Sequence, residues 1–184
     1  MKIYYQWIPW SYSFAASKIA QTNIQMEWEL VWLPNFANVW QSLKSWWIWV
    51  LPIENSYAWS IHQNFYWFLR NDFEIIWEII LEINHCLLSN ESDIAQIKKV
   101  YSHPQALWQC YEYINSHDMI SQEMWDTALS AKTVWETKEM WVGAIASRQA
   151  WEIYWLNILD ENIQDQKWNS TRFLVVKNKT EKVS

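Results

Sequence analysis

The chain has 184 residues, a net charge of −6 and a pI near 5.2, with 18 Trp against a single Gly. An acidic balance with scattered lysines excludes a nucleic-acid surface, which needs clustered Lys and Arg. The longest apolar stretch, residues 46–53, falls far short of the roughly 18 residues of a membrane span, and no apolar signal core follows Met1, so a cytoplasmic protein without membrane contact is expected.

In chain order, Lys2–Gln6 reads as a strand. A helix follows over 13–22, capped by Ser11 or Ser13, with Phe14, Ala15 and Ile19 on its inner face. Asn35 caps a second helix carrying Phe36, Val39 and Leu43. Residues 48–53 form a buried strand that ends at Glu54-Asn55-Ser56. Helical period returns over 58–69, with Ile61, Phe65 and Phe68 inside. Residues 73–88 are a long Ile-rich, strand-like stretch, with a crossing into a second lobe near Ile75. Ser92-Asp93 caps a short helix, 100–102 is a strand, and His103-Pro104 opens a helix running to 115, where Pro at the first position loses no hydrogen bond. Then come a strand at 119–123, a helix at 126–138, a strand at 142–147, a helix at 149–154, a β-rich run at 170–176 and a polar tail. Short apolar runs alternating with helical segments indicate an α/β class. Cys86 and Cys110, with no secretion signal, read as free buried thiols.

The tryptophans do not follow this pattern. Ordinary usage near 7% would give about 13 glycines in such a chain. Trp7, Trp10, Trp59, Trp155 and Trp168 fall where elements stop or turn, the places where chains use glycine for its access to positive φ. A Trp-rich binding surface would set its rings on one face at a regular period, and none is present. Most Trp positions therefore read as glycine positions, through a codon such as UGA read with another table. The expectation is that many of the 18 sit exposed at element ends, some with strained backbone. A packed aromatic core would contradict it.

With glycine imagined at those positions, ordered segments resemble the catalytic domain of prephenate dehydratase over nearly the whole chain. They are the 5–13 loop (YQWIPWSYS), Pro52-Ile53-Glu54-Asn55-Ser56, Ser102-His103-Pro104-Gln105-Ala106-Leu107, Asp126-Thr127-Ala128, Ala144-Ile145-Ala146-Ser147 and Asn169-Ser170-Thr171-Arg172-Phe173. The resemblance implies a two-lobed α/β fold like the type II periplasmic binding proteins, with mixed sheets flanked by helices and the active site in the inter-lobe cleft. One lobe would comprise 1 to about 75 and 163–176, the other 76–162, with 177–184 a polar tail. It implies a lyase of phenylalanine biosynthesis that converts prephenate to phenylpyruvate, water and carbon dioxide without metal or organic cofactor. A homodimer is the family's common state. The chain stops soon after Phe173, so the regulatory ACT domain is expected to be absent.

The residue types suit that substrate. Prephenate is a dianion and the protein is itself acidic, so local donors must bind it. Helix N-termini near Ser11, Pro104 and Thr127 offer N–H groups and a favourable dipole. Asn55, Ser56, Ser102, Gln109 and Thr127 add neutral donors, Arg172 a charged fork, and Phe173 an apolar contact. Aromatisation drives the reaction, so the enzyme needs a donor aimed at the departing ring hydroxyl. The resemblance makes Thr171 that donor, and Glu54 is the alternative acid if burial raises its pKa. Plainer roles stand beside these: His103 as a helix-entry residue, Cys110 as core, Asp126 as an N-cap, and Glu54 as a loop acceptor. Two other function classes remain open, a non-catalytic module binding a small anion on the same architecture, or an inert product if the Trp residues are real.

Overall fold

The computed structural model describes residues 2–6, 8–24, 28–35, 38, 42, 48–57 and 59–179. In chain order the elements are β1 (Lys2–Gln6), α1 (Tyr12–Ile24), β2 (Glu29–Leu33), β3 (Ile48–Asn55), β4 (Trp59–Ser60), α2 (His62–Arg70) and β5 (Phe73–Glu82). There follow β6 (His85–Ser89), a single 3₁₀ turn at Ile94–Gln96, β7 (Lys99–Ser102), α3 (Pro104–Gln109), α4 (Tyr111–Ser116), β8 (Ile120–Glu123), α5 (Thr127–Thr137), β9 (Val142–Ser147), α6 (Arg148–Tyr154) and β10 (Asn157–Glu161). The last strand is β11 (Ser170–Asn178). Two compact units result, Met1–Glu82 with Asn169–Ser184, and Ile83–Trp168.

The first unit is built on a mixed sheet of order β2-β1-β3-β11-β5, with β4 added beside β3. β1 is parallel to β2 and β3, while β11 runs antiparallel to both β3 and β5. One face packs Ile3, Val50, Ile79, Phe173 and Val175 against Ala16 and Ala20 of α1. The other packs Trp49, Leu51, Ile53, Leu174 and Val176 against Ile61 and Phe68 at α2. The second unit has a sheet of order β10-β6-β9-β7-β8, parallel among β9, β7 and β8 and antiparallel at β6 and β10. α5 and α6 cover one face through Ala131, Val134 and Ala150; Leu107, Cys110 and Ile114 of the 104–116 segment lie in the other core.

Several expectations change. The crossing between units lies at Glu82/Ile83, not near Ile75, because β5 pairs with β11 along its whole length. The 73–88 stretch is accordingly two strands of two different sheets. α1 buries Ser13, Ala16, Ser17 and Ala20 rather than Phe14, Ala15 and Ile19, since a helix lying close on a sheet puts its small residues inward. α2 starts later than residue 58, at His62, and exposes Phe65. The helix expected over 104–115 breaks at Cys110 into α3 and α4. The second helix, with Phe36, Val39 and Leu43, lies outside the described residues, although Asn38 N–H does donate to Asn35 Oδ1 at 2.9 Å. Strands β2 and β10 were not expected from the pattern. Both cysteines are free and buried.

The tryptophans meet the expectation in part: Trp125, Trp141, Trp155 and Trp168 are exposed between or at the ends of elements, whereas Trp32, Trp77, Trp108, Trp135 and Trp151 are exposed within them. Among the described residues nine are exposed, at 32, 77, 108, 125, 135, 141, 151, 155 and 168, with Trp125, Trp155 and Trp168 at 88, 84 and 83%. Among the described residues seven that are not glycine have left-handed backbone, and four of them are Trp10, Trp141, Trp155 and Trp168. Trp49 is different: it is fully buried, and its Nε1–H donates to Ser42 Oγ at 3.0 Å.

Candidate active site

Strand direction gathers the candidates of the first unit. The carboxyl ends of parallel β1 and β3 share one edge of the sheet, and antiparallel β11 begins there, so Ser11, the 54–56 segment and the 171–173 segment meet at one end. Ligands of open α/β sheets bind outside such carboxyl ends. Ser11 caps α1, its Oγ accepting Phe14 N–H at 3.3 Å.

A β-bulge then sorts the side chains. β11 pairs Thr171 with Asn55, Arg172 with Glu54 and Phe173 with Pro52, so Ile53 is the extra residue of β3. Paired residues share a face and successive residues alternate. Asn55 and Thr171 therefore stand on the α1 face, with Phe173 below them in the core, while Glu54 and Arg172 stand on the α2 face. The two catalytic candidates, Thr171 and Glu54, are thus on opposite faces of the sheet.

On the α1 face Asn55 is the hub. Its Nδ2 donates to Asn169 Oδ1 at 2.7 Å, Thr171 Oγ1 at 3.0 Å and the Ser170 carbonyl at 3.1 Å. Its Oδ1 accepts Tyr57 N–H at 3.0 Å, which fixes which end of the amide faces Thr171. Ser56 ties the same segments together, its N–H donating to the Ser170 carbonyl at 2.8 Å and its Oγ accepting Ser170 N–H at 2.9 Å. An amide nitrogen only donates, so Thr171 Oγ1 is the acceptor in its bond to Asn55 and its own hydrogen points elsewhere. On the α2 face Arg172 is engaged by two carboxylates, Glu78 at 2.8 Å and Glu54 at 3.4 Å. Phe173 is buried among Ile3, Ala16 and Val175.

The second unit places Ser102 at the carboxyl end of β7, fully buried, with its hydroxyl donating to the Ile145 carbonyl at 2.5 Å. His103 caps α3, its Nδ1 accepting Gln105 N–H at 3.2 Å, which is the helix-entry role. Gln109 is buried, its Oε1 2.9 Å from Nε2 of His85, whose backbone N–H donates to Gln164 Oε1 at 2.9 Å. Burial lowers His85 from 6.5 to about 4, so it is neutral near pH 7. Thr127 is the first residue of α5, behind Asp126, whose Oδ1 accepts Leu129 N–H at 2.9 Å. Burial raises the Asp126 carboxyl to about 6 despite its backbone hydrogen bonds. α3 is only six residues long, so its dipole is weaker than the sequence pattern suggested. Among the described residues no group of three His, Cys, Asp or Glu side chains is arranged to hold a metal ion.

Three partners escaped the sequence reading: Asn169, Glu78 and His85. Asn169 left a signal, because it precedes Thr171 by two positions and residues two apart on an extended chain face the same way. The other two act across strands or between elements, where no local signal exists.

A family profile described as prephenate dehydratase matches residues 3–181. Arogenate dehydratase/prephenate dehydratase 1, chloroplastic, from Arabidopsis thaliana is 42% identical over 179 residues, covering 96% of this chain and 45% of the plant protein. The crystal structure of the prephenate dehydratase from Staphylococcus aureus subsp. aureus Mu50 is similar with a TM-score of 0.80 and 30% identity, over 98% of this chain and 67% of that one. Lipoprotein Tp32 from Treponema pallidum, 10% identical with a TM-score of 0.52 over 97% of this chain and 83% of its own, shares the fold alone. These likenesses bear out the expected fold class. The chain spans about half the length of the curated relatives it matches.

Proposed function

The chain belongs to the prephenate dehydratase family, and from that premise we propose that it converts prephenate to phenylpyruvate with loss of water and carbon dioxide. The observation that carries the proposal is the Asn55–Thr171 hydrogen bond at 3.0 Å, which leaves the Thr171 hydrogen as the donor at the carboxyl end of the first sheet.

In the reaction the bond between the ring and its carboxylate breaks, and that electron pair moves through the ring diene. The ring C–O bond opposite breaks in turn, and its oxygen takes a proton and leaves as water. Aromatisation supplies the driving force, so the protein must hold one conformer and stabilise the departing oxygen more in the transition state than in the ground state. Thr171 is a weak acid and acts as a positioned donor: its hydroxyl proton passes to that oxygen as a proton from solvent water restores the hydroxyl. Glu54, on the opposite face and paired with Arg172, is the less suited candidate. Ser11 at the start of α1, with Ser56, Ser102, Gln109 and Thr127, makes up the proposed substrate-binding set. Arg172 would join it only on leaving Glu78, and Phe173 supports the site from the core.

A second reading takes arogenate as substrate, favoured by the plant relative that carries both activities in its name. Offering each substrate to the purified chain separates the two. Phenylpyruvate from prephenate supports the first, phenylalanine from arogenate alone supports the second, and ligand binding without either product returns the non-catalytic module. A cytoplasmic homodimer belongs to the same proposal, and sedimentation of the purified chain tests its assembly.

A further inference from the structure

We propose that Asn169 is a positioning residue for Thr171, an inference that rests on the dehydratase reading above. Asn169 is 3% exposed, and its Oδ1 takes the shortest of the Asn55 Nδ2 bonds, 2.7 Å. With Tyr57 N–H on the other end, the Asn55 amide is pinned at both termini and holds an N–H on Thr171 Oγ1. Rotating Asn169 by half a turn would set its nitrogen against the Asn55 nitrogen, donor against donor, so the oxygen must face inward.

That orientation has a cost. Among the described residues Asn169 Nδ2 is buried without a hydrogen-bond partner, and an orphaned buried donor destabilises the fold. A side chain that served packing alone would be better apolar. The oxygen of Asn169 is retained for what it does to Asn55: it orients the donor that makes Thr171 an acceptor, and so keeps the Thr171 hydrogen off Asn55 and available to another acceptor.

The test uses Asn169→Leu and Asn169→Asp in the full chain, with kcat, KM, thermal midpoint and the side-chain amide NMR signal of Asn55. Asn169→Leu is expected to lower kcat about tenfold or more through misplacement of the donor, with the thermal midpoint held or raised and the Asn55 amide signal no longer protected from exchange. Asn169→Asp, which keeps the accepting oxygen, is expected to recover most of kcat and the protected signal. Activity and midpoint falling together in both variants, or kcat of Asn169→Leu within about twofold of the parent, would overturn the role. A parent chain that turns over neither substrate refutes the dehydratase reading instead, and the NMR signal still reports on Asn169.

A separate observation concerns residue identity. We infer that Trp10, Trp141, Trp155 and Trp168 are glycine in the protein made by its own cells. Their φ angles are 78°, 63°, 53° and 68°, backbone that only glycine adopts without steric cost. Trp155 ends α6 in the left-handed conformation, its N–H donating to the Trp151 carbonyl, at the position where helices stop on glycine. The single glycine, Gly143, needs no such freedom: it has no positive φ and is buried in β9. Peptide masses of the protein isolated from its native cells are expected to show glycine at these four positions, and tryptophan there overturns the inference. In the chain as written, Trp155→Gly and Trp168→Gly are each expected to raise the thermal midpoint, and a fall in both would count against it.

Discussion

Acidification tests the buried His85 most directly. Its imidazole sits at 2% exposure against Gln109 and is lowered from 6.5 to about 4. The gap, 6.5 − 4, is about 2.5 pH units, and at about 1.4 kcal/mol for each it is worth roughly 3 kcal/mol. The folded-state value is depressed, so the contribution is fully present above pH 6.5 and is lost as the pH falls through 4. Urea unfolding at pH 7.5, 5.5 and 4.5 reads this when parent and His85→Gln are compared, since Gln keeps a donor for Gln109 and cannot ionise. Carboxylates titrate in both proteins and cancel in the difference. The parent should lose about 2.5 kcal/mol more than the variant across that range, and the remainder only below pH 4.5. Equal losses would refute the claim that His85 is buried neutral.

Other outcomes follow from the same geometry. Asp126 has the opposite sign: its folded value, about 6 against 3.8, is raised, so its contribution is present below pH 3.8 and lost as pH rises through 6. Asp126→Asn, which still caps α5, should therefore be more stable than the parent by up to about 3 kcal/mol at pH 8 and lose that advantage near pH 4, as denaturant midpoints will show. Thr171→Ser should keep much of the proposed turnover and Thr171→Ala little; full activity in Thr171→Ala would remove Thr171 from the mechanism. Gly143→Ala puts a Cβ 2.8 Å from Leu87 Cδ1 and 3.3 Å from the Leu88 carbonyl, and should cost about 1–3 kcal/mol in urea unfolding.

Legibility in the sequence followed the reach of the signals. β1 and β9 were readable because apolar runs bounded by polar or turn residues are local, and Asp126 was readable as a cap for the same reason. The Ile83-Asn84 break carries neither Gly nor Pro, so two strands read as one. β2 and β10 are edge strands with partly exposed patterns, which weakens alternation. Phe14 and Ile19 misled the reading of α1 because the helix packs through its small residues. At the site, the residue types around Asn55 and Thr171 were visible, but their separation from Glu54 and Arg172 depends on one extra residue in β3. No single-strand pattern encodes a register.

The position of β11 between β3 and β5 also sets an order of assembly. β3 and β5 do not pair with each other in the sheet, and β11 bridges them. It is made only after the whole Ile83–Trp168 unit. Asn55 and Thr171 are 116 residues apart, a long loop to close by diffusion alone. Folding of the continuous second unit would shorten that search by bringing Ile83 and Trp168 toward one another, so β11 should dock late and slowly for a domain of this size. The Asn55–Thr171 bond then forms only when β11 takes its place between β3 and β5.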